Sequence, residues 1–351
     1  MSLLDVTRMI GFPDMTAAAD AQRRLDNLTK PQGSLGRLEE LAVQYCAMTG
    51  DRKPAVPSGV VFTFAADHGV VDEGVSAYPR AVTAQMVLNF IRSGAAVNVL
   101  ARHVGIPVRV VDIGVDHEFP TTDGLINRKL MRGTCNMLRE AAMSRPVAEQ
   151  AIMVGVELAT AAVRDGAGLI GTGEMGIGNT TASSAITAAM TGAAVDSVTG
   201  AGTGIDERAR EKKVKVIGRA LAIHQPDSED PLDVLAKVGG LEIAGMAGLI
   251  LGGAAVKVPV VLDGFIAGAA ALIACGVAPR CREFLIASHR SVERGHRIIL
   301  ERLRLNPLFD LDLRLGEGTG ACLGIGMVQA AVKILTEMAT FGEAGVSGRS
   351  E

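Results

Sequence analysis

Five short, largely apolar runs punctuate this chain, and most of them stop at a Gly, Asp, Ser or His. The first is Val60-Val61-Phe62-Thr63-Phe64-Ala65, ending in Ala66-Asp67-His68-Gly69, and the second is Val108 to Gly114. Gly168-Leu169-Ile170-Gly171 is a third, less regular run; Val258 to Gly264 is a fourth and Phe284-Leu285-Ile286-Ala287 a fifth. Continuous apolar runs of this length read as strands covered on both faces, and the stretches between them have helical spacing. Strands alternating with helices predict an α/β fold, a parallel sheet wound with helices on both faces. Ligands of such sheets bind beyond the carboxyl ends of the strands. The polar residues just after each run are therefore the candidates for chemistry.

Around these runs the chain reads as helical. The first 50 residues break at Lys30-Pro31-Gln32-Gly33, and Ser34 is a candidate N-cap for a helix carrying Leu35, Leu38, Leu41, Ala42 and Tyr45. A Pro-containing linker spans Lys53 to Ser58, a long helix is expected over Gly318 to Met338, and the tail after Phe341 reads as loose. The 351 residues allow one large domain or two unequal ones, and the core must be aliphatic because only 3% of residues are aromatic. Mixed charge with a net of −3 and no basic block gives no reason to expect nucleic acid. Five scattered cysteines without a CxxC pair argue against a zinc site or disulfide framework and fit a reducing compartment. Asp5 and Arg8 interrupt any apolar signal core. Ile243 to Val256 and Gly264 to Pro279 are apolar but shorter than the ~20 residues a bilayer span needs, so buried helices are expected there.

Four clusters stand out. Gly171-Thr172-Gly173-Glu174-Met175-Gly176-Ile177-Gly178-Asn179-Thr180-Thr181 follows a strand and leads into an Ala/Ser-rich helix. Its glycines would let backbone N–H groups meet an anion at a helix N-terminus. Three readings stay open: a phosphate or sugar site, a dinucleotide site built on Gly171, Gly173 and Gly176 with Asp196 downstream, or a structural turn. The second cluster, Gly200 to Gly204, precedes Arg208, Arg210, Lys212, Lys213 and Lys215, which read as a solvated helix face with one lysine able to fold back on a phosphate. The third is Arg314-Leu315-Gly316-Glu317-Gly318, where a carboxylate between glycines either serves a ligand or complements the helix dipole. The fourth is Asp67-His68, which reads as a structural pair more readily than as a dyad. His289 and Ser291 follow the fifth strand, and Ser291 is the better phosphate donor. The histidines form no metal pattern. Without GxxxxGK[ST], and without an acidic pair before a Thr/Gly loop, a donor with a single phosphate and an organic leaving group fits better than a triphosphate or pyrophosphate.

Together these runs resemble the nicotinate-nucleotide–dimethylbenzimidazole phosphoribosyltransferase family from about residue 20 to residue 340. The resemblance is carried by Lys30 to Leu38, Ala66 to Val70, Asp72 to Val75, Pro79 with Val82-Thr83-Ala84, Gly173 to Thr181, Lys237 to Gly240, Leu262 to Phe265 and Arg314 to Gly318. His224-Gln225-Pro226 stands where the family has Asn-Gln-Pro. The resemblance implies a Rossmann-like domain over 56–310 and a smaller helical domain from 1–55 and 311–351. It also implies a cytoplasmic homodimer that needs no cofactor or metal. The implied reaction moves the 5-phosphoribosyl group of nicotinate mononucleotide to a benzimidazole-type base, with an NAD-dependent oxidoreductase as the rival reading. Glu317 is the implied base and Glu174 a second acid near the ribose. Phosphate and ribose contacts carry over to Gly176, Gly178, Asn179, Thr180, Thr181, Gly202, Lys213 and Ser291. The acceptor base would meet Tyr78, Gln85, Met86, Met175, Leu315 and Gly316.

Overall fold

The computed structural model describes residues 1–202 and 204–347. Six parallel strands form one sheet: β1 (Gly59–Ala66), β2 (Val108–Gly114), β3 (Leu125–Asn127), β4 (Leu169–Met175), β5 (Val260–Leu262) and β6 (Leu285–Ala287). Their spatial order is β3-β2-β1-β4-β5-β6. The chain builds outward from β1 to one side, then returns to lay β4, β5 and β6 on the other. That reversal opens a crevice between β1 and β4 at the carboxyl edge. The fold is the expected Rossmann-like α/β arrangement.

Alternate residues of β1 serve opposite faces, as the pleat requires. Phe64 packs under Gly245 of the Leu241–Ala255 helix, while Val61 and Thr63 meet the backbone at Glu317 and Gly318 just before the Thr319–Glu337 helix. The Leu241–Ala255 helix has Gly248 and Gly252 where it meets the backbone of another helix. A Cβ on Gly155 or Gly248 would overlap the facing backbone across the contact with the Arg145–Arg164 helix. Leu241–Ala255 and Phe265–Val277, the two apolar stretches of the sequence, are buried over nearly their whole length. Arg145–Arg164 and Thr319–Glu337 are long and apolar enough to cross a bilayer by length and composition alone. Thr319–Glu337 packs on the sheet, and Arg145–Arg164 packs on the Leu241–Ala255 helix.

The two chain ends meet. Helices Met15–Asp26 and Arg37–Thr49 pack on each other and on Thr319–Glu337, and the Phe341 N–H donates to Asn27 O at 3.0 Å. Three local expectations are corrected and one strand is new. Ser34 is not the N-cap; Gly36 is. A buried Lys30–Glu39 ion pair at 2.8 Å, whose carboxylate also accepts the Leu35 N–H, holds residues 31–36 as a turn instead. β3 has no apolar run to announce it and exists by pairing with β2 at the sheet edge. The third strand does not stop at Gly171: pairing with β1 from Gly59↔Leu169 to Ala65↔Met175 draws Gly171 to Met175 into β4. Finally, Phe341–Ala344 is a short helix under a Thr340 capping box rather than loose chain; 348–351 and Thr203 of the second glycine cluster lie outside the described residues.

Candidate active site

A cavity of about 450 Å³ opens beyond the carboxyl ends of β4, β5 and β6. Its volume suits a small organic ligand. A larger groove of about 1080 Å³ lies at the opposite ends of the Asn179–Thr191 and Phe265–Val277 helices, away from the strand ends. The chemistry therefore belongs to the smaller cavity.

One wall is the end of β4. Glu174 is buried on the strand, and Asn179 Nδ2 donates to its Oε2. Burial pushes the Glu174 carboxyl up to about 8, with Asp263 and Glu242 adding repulsion and the Asn179 bond opposing it. The turn Gly176–Gly178 then starts the Asn179–Thr191 helix, whose N-terminus has no side-chain cap. Lys213, only 1% exposed, reaches this corner and donates from Nζ to Thr180 Oγ1 at 2.7 Å. Desolvation lowers its ammonium to about 8, against the pull of Glu293. Gly202 sits against Thr180 and Lys213, and its N–H donates to Glu293 Oε1 at 2.9 Å. Ser291 lines the same end.

The opposite wall is the loop Arg314 to Gly318. Gly316, Glu317 and Gly318 all have positive φ, at 82°, 65° and 101°. Glycine adopts that region freely, whereas a glutamate there is strained and must be held. Thr63 Oγ1 donates to Glu317 O at 2.9 Å, and a Cβ on Gly316 would overlap Glu174 Oε1. Glu317 Oε2 is buried with no hydrogen-bond partner among the described residues. Burial raises this carboxyl to about 7. Between the walls lies Asp263, just after β5, raised by burial to about 7 although backbone N–H groups at Gly318, Gly320 and Ala321 oppose the shift.

The cavity thus gathers Glu174, Glu317, Gly176, Asn179, Thr180, Gly202, Ser291, Tyr78, Met86, Met175, Leu315 and Gly316 from the sequence-derived set. Lys213 stands just behind Thr180. Three other expected contacts do not line it either. Gln85 is exposed on its helix; Gly178 packs against Val71; the Thr181 hydroxyl is buried in the helix layer. The dinucleotide reading fails on geometry, because Gly171 and Gly173 are strand residues packed on Val61 and Glu317, and Asp196 pairs with Arg210 at 2.8 Å. Asp67 and His68 do not form a dyad: Asp67 accepts the Asp116 N–H, and His68 meets Glu242 at 2.7 Å. Sequence reasoning passed over Asp263 and Glu293, although Asp263 stands at a strand's carboxyl end, where the topology rule points.

A family model described as phosphoribosyltransferase matches residues 10–346. The chain belongs to this family. It is an enzyme, a phosphoribosyltransferase of the nicotinate-nucleotide–dimethylbenzimidazole class. A nicotinate-nucleotide–dimethylbenzimidazole phosphoribosyltransferase of Geobacter sulfurreducens is 61% identical over 334 residues, 95% of each chain. That of Roseiflexus castenholzii is 59% identical over 352 residues, the full length of both. The crystal structure of CobT from Thermus thermophilus superposes with a TM-score of 0.91 at 49% identity, covering 95% of this chain and 100% of that one.

Proposed function

We propose that the chain transfers the 5-phosphoribosyl group of nicotinate mononucleotide to 5,6-dimethylbenzimidazole, giving α-ribazole 5′-phosphate and nicotinate, with Glu317 as general base. The observation that carries this reading is a carboxylate held at positive φ with a buried, unpartnered oxygen, across a small cavity from an uncapped helix N-terminus. The phosphate enters the corner of Gly176, Asn179, Thr180, Gly202, Ser291 and Lys213, where backbone and ammonium together favour a single dianion. Anchoring it orients the ribose.

The acceptor stacks among Tyr78, Met86, Met175 and Leu315 with its N–H toward Glu317 and its other nitrogen toward the anomeric carbon. As that nitrogen attacks, the bond to nicotinate breaks and its electrons neutralise the pyridinium, so the leaving group needs no acid. Glu317 takes the acceptor's N–H proton, a step its raised pKa suits. Glu174 faces the developing positive charge on the ribose, and the cationic donor beside it favours its ionised form. Attack opposite nicotinate inverts a β-linked donor into an α-linked product.

In this reading the enzyme is a cytoplasmic homodimer, each chain folding its large Rossmann-like domain from 56–310 and its smaller helical domain from 1–55 and 311–351. Exposed Tyr78 and Leu315 at the cavity mouth, 53% and 55% accessible, support a covered mouth. The test is incubation of the purified chain with nicotinate mononucleotide and dimethylbenzimidazole, with products identified by mass. Glu317→Ala should slow nicotinate release by about 10²–10⁴-fold; turnover near that of the wild type would remove Glu317 from the mechanism.

A further inference from the structure

The Thr319–Glu337 helix starts directly after Glu317 and Gly318, where free N–H groups carry the positive end of the helix dipole. Glu317 stands just before the N-cap, Gly318, so its carboxylate is the nearest one in the chain for those N–H groups to attract. Bonded to them, Glu317 would be a cap, its charge spent on its own backbone. Asp263 takes those N–H groups instead. Its Oδ2 accepts the Gly318 N–H at 2.9 Å and its Oδ1 accepts the Gly320 N–H at 2.7 Å. Both oxygens face N–H donors, an arrangement that favours the ionised carboxylate and opposes the burial that raises its pKa. No Lys or Arg pairs with Asp263 among the described residues, so the helix terminus is its counter-charge.

We propose that Asp263 is a positioning residue for the transfer reaction: it occupies the amides at the start of the Thr319–Glu337 helix and thereby keeps the Glu317 carboxylate free to act as base. The inference rests on Glu317 being that base. The groups around Glu317 are Glu174 on β4, Asp263 after β5, His289 after β6, Glu293 across the cavity and Arg314 on its own loop. His289 Nδ1 lies 4.0 Å from Asp263 Oδ1, and burial lowers its pKa to about 4, so it is neutral at neutral pH and supplies no positive charge. Replacing Asp263 by Asn removes a negative neighbour and uncovers the positive helix end. Both changes weaken the hold of Glu317 on a proton.

The experiment is the pH profile of kcat/KM for nicotinate release by the full-length chain, wild type against Asp263→Asn and Asp263→Glu. Asp263→Asn should lower kcat by about 10-fold or more, with KM for nicotinate mononucleotide changing less, and should move the acidic limb down by about one pH unit. Asp263→Glu, which keeps the charge, should return the limb toward the wild-type position. A limb that stays put in Asp263→Asn overturns the proposal, whatever the rate. Should that variant lack a cooperative thermal transition, the same reading is taken from Asp263→Ser, whose hydroxyl caps without charge. A wild-type chain that released no nicotinate would sink the proposed function, and this inference with it; a wild type with a clear limb, unmoved in the variant, sinks the positioning role alone.

Discussion

Two helices point their N-termini at one cavity, and they are finished differently. The Asn179–Thr191 helix follows Gly178 at φ 97° and has no side-chain cap; the Thr319–Glu337 helix follows Gly318 at φ 101° and is capped from a distance by Asp263. Both start from a left-handed glycine, and both sit beside a glutamate raised by burial. The uncapped end keeps its positive potential for an incoming phosphate. The capped end has none to spare, and in the proposed mechanism the carboxylate next to it therefore remains a base. Equivalent backbone geometry serves opposite electrostatic ends because one buried aspartate is present at one of them and absent from the other.

The contrast can be broken first at the phosphate end. Lys213→Met removes the buried ammonium of that corner. Losing a charge-assisted hydrogen bond of about 1.5–3 kcal/mol should raise KM for nicotinate mononucleotide by roughly 10- to 100-fold, read from steady-state kinetics. An unchanged KM would mean that the helix terminus alone anchors the phosphate.

A smaller effect is expected at the base end. In Gly316→Ala the new Cβ meets Glu174 and the residue must hold φ 82°. Backbone strain of this kind costs about 1–3 kcal/mol. Both the thermal midpoint and kcat should fall; a variant with wild-type values of both would show that the loop is not tightly held.

The smallest predicted change sharpens the electrostatic side. The Glu174 carboxyl is raised to about 8 in the folded chain, so the native state binds its proton more tightly than the unfolded chain does. Its contribution to stability is present at low pH and is lost as pH rises from the unfolded pKa through about 8. Glu174→Gln should therefore be inactive or slow yet melt about 2 °C or more above wild type at alkaline pH, with a smaller difference in mild acid. Equal differences at both pH values would rule out this burial penalty.

What the linear chain determined is the layout. Apolar runs of strand length, helical spacing between them and polar residues at their ends were enough to expect a parallel sheet with chemistry at its carboxyl edge. Arg314 to Gly318 and Gly173 to Thr181 marked where glycine lets backbone and carboxylate approach a ligand, because that permissiveness is a property of the residue itself. Pairing and burial decided the rest. Register with β1 turned Gly171 to Met175 from loop into strand and left Glu174, not a glycine, as the wall of the site. The cap of the helix that follows Glu317 could not be read locally, since it is Asp263, 54 residues earlier than Glu317 in the chain and brought to this helix end only by the sheet. Conformational freedom is written residue by residue; which carboxylate neutralises which dipole is settled only where distant segments come within hydrogen-bonding distance.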